Sequence, residues 1–268
     1  MEILFSFLRI VLLLYGCLVL LALFVAERVI FQPPPASYPK SSEILDLTTT
    51  DGVRIAAVHL PNPTARFTIL FSHGNAEDLG HVVPYLREFQ QRGYGVFAYD
   101  YRGYGQSDGS PSSQGALQDI EAAYDYLTGT LGVPPERVIP MGYSVGGGPA
   151  THLATVRKVG GLVLESSFTS AFRTVTRIPL IPFDRFNNIA LVGRLTVPLL
   201  VIHGQQDFVV PFRNGQQLFA MAREPKRHLW VAGAGHYDLR ERAGENYWQT
   251  LAEFAKLIEA QQGKGGGP

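Results

Sequence analysis

Cysteine is nearly missing from this chain: among 268 residues only Cys17 is present, inside an apolar N-terminal stretch. A single thiol excludes a disulfide within the chain and any cysteine-rich zinc site. The seven histidines are scattered without a His-x-x-x-His pair, so the ligand spacing that usually marks a metal centre is lacking too. Neither a metal nor a cofactor is therefore expected. An excess of one charge is also absent. Lysine plus arginine number 23, as do aspartate plus glutamate, and the formal net charge is zero. Without a broad basic field or a Lys/Arg run, nucleic acid is not an expected partner. Internal repeats are not found, and the length suits one α/β domain with a large core. Nothing in the composition speaks to oligomeric state.

What is present begins with a long apolar run. Ile10 to Ala26 carries no charge, and the apolar character reaches back to Ile3 with Arg9 as the interruption. This approaches the roughly 20 residues needed to cross a bilayer. A cleaved signal peptide requires small residues before the cut, but Phe24-Val25-Ala26 puts a phenylalanine there. A lipoprotein signal at Leu14-Tyr15-Gly16-Cys17 would carry a bulky tyrosine, and the run stays apolar past Cys17. A core helix apolar all round is rare in a domain this size. The expectation is an uncleaved single-pass membrane anchor over residues 1–30. Arg9 on one side is nearly balanced by Arg28 and Lys40 on the other, so no membrane face is assigned. Phe31-Gln32-Pro33-Pro34-Pro35-Ala36-Ser37-Tyr38-Pro39 then reads as a stiff, extended spacer (31–40) that holds the next domain off the membrane.

From residue 41 to 262 strands and helices alternate, which argues for a mostly parallel sheet covered on both faces. Ile44–Thr49 and Val53–Leu60 suggest an opening hairpin around Asp51-Gly52. Further strands are expected at 67–72, 95–100, 138–141, 161–165, 198–203 and 228–231. Helices are expected after 76, over 113–131, from 149 and over 244–260, with a disordered tail at 263–268. Residues 166–196 break the alternation with Pro179, Pro182 and an apolar cluster. So long a structureless loop is unusual, and the stretch is read as a small cap whose Ile178, Leu180, Phe183 and Phe186 face the substrate. A helix pair packed on the sheet away from the site is the alternative.

The chemistry centres on Gly142-Tyr143-Ser144-Val145-Gly146, a Gly-x-Ser-x-Gly run between a strand and a helix. There a serine sits on a sharp turn, and the helix N-terminus points free N–H groups at developing negative charge. A hydroxyl needs a base to become a nucleophile, and the base needs an acid to orient it. Asp207 follows the strand ending at His203, and His236 follows the strand ending at Val231, so acid and base come in the order Ser144, Asp207, His236. Glu165 and Asp238 are rival acids. His73 and His203 are read as hydrogen-bonding their own loops. The oxyanion would be held by the N–H of Val145 and, from the loop His73-Gly74-Asn75, by that of Asn75, with Ala76 as second choice.

These residues carry a family resemblance. His73-Gly74-Asn75-Ala76, the run from Asp100 through Gly105 to Ser107, Gly142–Gly147, Glu165-Ser166-Ser167-Phe168, His203-Gly204-x-x-Asp207 and Gly235-His236 resemble membrane-anchored, small-lid members of the α/β-hydrolase superfamily. The similarity is to the hydrolase-domain proteins that include protein depalmitoylases, and to their bacterial relatives. It spans nearly all of the chain from about Ala26 and implies the α/β-hydrolase fold and a Ser-His-Asp triad. Tyr237 departs from the asparagine often found there. The lipidated, cysteine-rich N-terminus of the eukaryotic depalmitoylases is replaced by one cysteine and an apolar span, so depalmitoylation is not carried over. The expected activity is serine hydrolysis of an ester or thioester, on a small or lipid-like acyl substrate near a membrane. The alternatives are a peptidase that holds the substrate amine on Glu165, and a non-catalytic, membrane-tethered interaction module. An epoxide hydrolase or dehalogenase would need aspartate at position 144.

Overall fold

The computed structural model describes residues 1–174 and 184–265. Its frame is one eight-stranded sheet in the order β1-β2-β4-β3-β5-β6-β7-β8. Strands β1 (Ile44–Thr48) and β2 (Arg54–Leu60) form the expected antiparallel hairpin, turned by Gly52 at φ +82°. β2 lies antiparallel to β4 (Gly95–Tyr99). Everything from β4 onward is parallel: β3 (Thr68–Ser72), β5 (Val138–Tyr143), β6 (Leu162–Glu165), β7 (Leu199–Gly204) and β8 (Lys226–Val231). The central strands read as unbroken apolar runs because both sheet faces are covered, and every residue of β3, β4 and β5 is buried.

Two cores follow from the alternation of side chains along these strands. On one face Leu70 and Phe97 meet α3 (Ser113–Asp125), α4 (Gly147–Val156) and α6 (Arg213–Met221) through Ile120, Leu153 and Leu218. On the other Ile69 and Phe71 meet α2 (Leu79–Gln91) and α8 (Glu245–Gly265) through Leu86, Phe89, Phe254 and Ile258. A short α7 (Leu239–Ala243) adds Leu239 to this second core.

The strand order reverses at β3: the chain passes to β4 on one side of it and returns to β5 on the other. Open α/β sheets gather ligands at such a switch point, beyond the strand C-termini. Here it sets the loop after β3, which begins at His73, beside Ser144, the first residue past β5, with Ser72 in register with Gly142.

Helix α1 (Glu2–Ile30) is 29 residues long, roughly 43 Å at 1.5 Å per residue. Its apolar stretch Glu2–Leu23 is long enough to span a membrane and is not buried in the protein. Only its far end docks: Ala26 and Phe31 are buried against the domain. The proline-rich segment that follows lies along the domain instead of standing clear of it. The Ser37 N–H donates to Asp78 (2.6 Å) and the Tyr38 hydroxyl to Asp100, while the Gln106 N–H donates to Tyr38. At the other terminus the closing helix continues to Gly265, so residues 263–265 of the expected tail are helical, and 266–268 lie outside the described residues. The helix begun at Ser113 ends at Asp125 and closes in a π-helical turn, Tyr126–Thr130.

Of the stretch 166–196, the described parts hold a 3-10 turn (Phe172–Thr174) and α5 (Asn188–Val192), which packs on α4 and α6. Ile178, Leu180 and Phe183 lie outside the described residues.

Arg102 ties the hairpin to α3. Its backbone N–H and Nε donate to Asp119 (2.9 and 3.0 Å) and its two terminal nitrogens to Asp51 (2.8 and 3.1 Å). Asp119 has no exposed surface, so removing the guanidinium would strand a buried carboxylate. Arg102→Ala is expected to lower the unfolding free energy by about 3 kcal/mol, measured by chemical denaturation of the detergent-solubilised chain.

Candidate active site

Ser144 follows β5 and opens the 3-10 turn Ser144–Gly146 that runs into α4. Its φ is +53°, the left-handed region that a serine enters only when its surroundings hold it there. The flanking glycines show why this is possible. A Cβ on Gly142 would strike the Gly146 carbonyl, and one on Gly146 would strike the backbone of Ser72 and His73. Ser167, just past β6, steadies the turn by donating its hydroxyl to the Ser144 carbonyl (3.0 Å).

The structure brings Ser144, His236 and Asp207 together from three separate strand ends. His236 Nε2 lies 3.1 Å from Ser144 Oγ, and His236 Nδ1 lies 2.7 Å from Asp207 Oδ2. Because Nδ1 faces a carboxylate it carries the ring proton, which leaves the Nε2 lone pair toward the serine hydroxyl. This is the tautomer a general base requires. Tyr143 fixes the imidazole from behind: its hydroxyl donates to the His236 carbonyl (3.0 Å) and its ring lies 5.2 Å from the imidazole. Tyr237 is 85 % exposed and meets His236 edge to face, so its departure from asparagine leaves the imidazole contacts in place.

Asp207 is held as an anion. Burial pushes its carboxyl up, but hydrogen bonds from His203 and His236, the charge of His236 and the Val210 N–H outweigh this and bring it down to about 2. Its Oδ1 accepts the Val209 and Val210 N–H groups (2.9 and 2.7 Å). His203 Nε2 lies 2.8 Å from the Val210 carbonyl and 3.4 Å from Asp207 Oδ2, so it serves the loop that aims the acid.

The rival acids point elsewhere. Glu165 accepts the Tyr247 hydroxyl at 2.6 Å and pairs with Arg240 at 2.9 Å. Asp238 accepts the Gly235 N–H (2.7 Å) and pairs with Arg242, which shapes the loop carrying His236. His73 Nδ1 meets the Gly74 carbonyl (2.8 Å), and its Nε2 lies 3.4 Å from Asp100.

In the loop after β3, Ala76 stands at φ +57° and its N–H donates to the Asn75 side-chain oxygen (3.0 Å). The Asn75 N–H has no acceptor among the described residues. Between the two donors weighed for the oxyanion, this leaves Asn75 free and Ala76 engaged. A cleft of about 710 Å³ opens beside His236, walled by Tyr143, Tyr237, Trp248, Glu77 and Arg240. Phe186 lines a different cleft, of about 430 Å³, with Glu27 and Leu191, and its ring covers Gly148 in the first turn of α4.

Tyr143 and Ser167 stand inside runs that the sequence marks, while their hydrogen bonds arise only in the fold. Arg240 has no signal in the sequence: its guanidinium sits 4.0 Å from the centre of the Tyr85 ring and finds Glu165 only through the fold.

Comparison with known proteins bears on this arrangement. Residues 63–182 match the family described as serine aminopeptidase, S33. Human (Homo sapiens) alpha/beta hydrolase domain-containing protein 17B is 39 % identical over 217 residues, which cover 80 % of this chain and 74 % of that one. The chain belongs to the α/β-hydrolase family. It is an enzyme of the hydrolase kind. A second relative of this hydrolase, alpha/beta hydrolase domain-containing protein 17C of Mus musculus, is 38 % identical over 196 residues, covering 72 % of this chain and 60 % of that one. Among solved structures, the Pyrococcus furiosus esterase Pf2001 superposes with a TM-score of 0.70 at 20 % identity, over 85 % of this chain and 99 % of that one. The esterase domain of a Rhodothermus marinus protein gives 0.63 at 20 % identity, over 80 % and 98 %. At these identities the two structures speak to the fold.

The depressed Asp207 carboxyl has a pH consequence. A folded-state value near 2, below the ordinary carboxylate range, stabilises the fold above about pH 4, and that stabilisation is lost as pH falls toward 2. Asp207→Asn is therefore expected to cost about 2 kcal/mol at pH 7 and markedly less at pH 3. Denaturation at both values checks this.

Proposed function

We propose that this α/β-hydrolase cleaves ester or thioester bonds through Ser144, His236 and Asp207, on acyl-chain substrates at a membrane that α1 spans. The observation that carries the reading is the unbroken relay from Ser144 Oγ through His236 to the ionised Asp207. His236 takes the serine proton as Oγ attacks the acyl carbon, and the N–H groups of Val145 and Asn75 receive the oxyanion. His236 then protonates the departing alcohol or thiol. A water deprotonated by the same imidazole attacks the acyl-serine and releases the acid.

The family description of serine aminopeptidase brings the peptidase reading forward, and Glu165 is its weak point. Both oxygens of that carboxylate are taken by Tyr247 and Arg240, leaving little to hold a substrate amine. A non-catalytic module would have no use for an intact relay and a serine held at positive φ. The apolar, unburied stretch of α1 supports the membrane anchor, and Ile178, Leu180 and Phe183 remain the proposed acyl-chain contacts, whereas Phe186, expected among them, lines the other cleft and packs on Phe31.

Ser144→Ala is expected to fold normally and to lose labelling by a fluorophosphonate probe; persistent labelling would overturn the nucleophile. Across p-nitrophenyl esters of increasing chain length, kcat/KM is expected to rise by about tenfold or more per two to three added methylenes. A flat series would remove the acyl-chain preference. Glu165→Gln is expected to lower the melting temperature while leaving the ratio of ester to aminoacyl-amide hydrolysis unchanged, and a selective loss of amide hydrolysis would favour the peptidase.

A further inference from the structure

The membrane helix and the oxyanion loop share a set of contacts that anchoring alone does not require. Glu27, in the last turn of α1, accepts the Ser113 N–H (2.7 Å) and hydroxyl (2.8 Å) at the start of α3, and Arg185 Nε at 2.9 Å. The Phe31 ring then packs edge-on against Tyr101, Tyr104 and Phe186 at 6.1 to 6.4 Å. With the helix end pinned on both sides, the Gln32 N–H arrives at a fixed point. It donates to Asn75 Oδ1 at 2.8 Å and to the Tyr104 hydroxyl at 3.0 Å. The Tyr104 hydroxyl in turn donates to Asn75 Oδ1, also at 2.8 Å.

We propose that Gln32 and Tyr104 are positioning residues for the oxyanion hole, so that the docked end of the membrane anchor is built into the catalytic site. The proposal rests on the reading of the Asn75 N–H as an oxyanion donor. Asn75 Oδ1 gathers three donors, two from outside its own loop and one from Ala76, which stands at an unfavourable positive φ. Those bonds fix the side chain, and through it the orientation of the Asn75 peptide. Oxyanion donors act only if they are aimed before the charge develops, because reorganisation at that moment would consume the stabilisation. The coupling also ties the site to the bilayer. Only seven helical steps, about 10 Å, separate Leu23 at the end of the apolar span from Ile30.

Because the Gln32 donor is a backbone N–H, one substitution removes it and another keeps it. Gln32→Pro deletes the donor, and the extended Phe31 (φ −113°, ψ 121°) already suits a following proline. Gln32→Ala retains the donor and serves as control. In full-length enzyme in detergent micelles, Gln32→Pro is expected to lower kcat by about tenfold to a hundredfold, with KM and melting temperature unchanged and Gln32→Ala at the wild-type rate. The Ki of a trifluoromethyl ketone, which fills the oxyanion hole, should rise by the same factor. Tyr104→Phe should lower kcat as well, and the double variant should lose less than the product of the two single losses, since both act on one oxygen. Wild-type kcat in Gln32→Pro overturns the proposal. So does a loss in kcat matched by a fall in melting temperature with Tyr104→Phe unaffected. Activity surviving in Ser144→Ala would instead strike the underlying serine mechanism, which separates the two failures.

Discussion

A serine held at φ +53° between a strand and a helix is the constraint on which the rest of this structure depends. The turn is tight enough that Gly142 and Gly146 touch backbone on their Cβ sides, so β5, the β3 loop and α4 must approach one another almost without side chains between them. Here a buried parallel sheet, with helices on both faces, supplies the platform that holds that conformation. The same close approach brings the β3 loop within reach of the serine, because β3 and β5 are neighbours across the point where the strand order reverses.

Around that turn, carboxylates organise the backbone. Asp207 gathers two N–H groups and two imidazoles; Asp100 gathers the Leu79 N–H, the Tyr38 hydroxyl and His73. Asp78 caps α2 and holds Ser37. Each anion is buried, and each is satisfied by several donors, as a buried charge must be. The result is that loops belonging to different strands are tied to one another. Arg240 plays the opposite part, a cation joining Glu165 to the aromatic rings behind the histidine.

The N-terminal segment enters this network instead of standing apart from it. A proline-rich stretch read alone suggests a stiff spacer, because its composition fixes φ and removes donors. Ser37, Tyr38 and Gln32 bring back enough polar groups to pin it along the domain, and Phe31 brings an aromatic anchor. An enzyme fastened this way has its catalytic loops oriented with respect to α1, and therefore with respect to any bilayer that α1 crosses.

The linear chain by itself determined the elements that local periodicity and turn chemistry control: the apolar helix, the opening hairpin, the alternating strands and the order Ser144, Asp207, His236. These are legible because an apolar run, a Gly-rich turn and a residue just past a strand end are all local facts. The chain also singles out Asp207 and Asn75; what it does not disclose is that Tyr247 and Arg240 engage Glu165 and that the Ala76 N–H is engaged by the Asn75 side chain. Those pairings turn on which donors meet which oxygens, and Tyr247 lies 82 residues from Glu165 in the chain. The expected tail illustrates a boundary error, since α8 continues through residues 263–265 where composition suggested disorder. Arg240 beside Glu165, and Gln32 on Asn75, were decided by tertiary structure alone, because a long side chain or a backbone N–H has no recognisable pattern until the fold brings its acceptor to it.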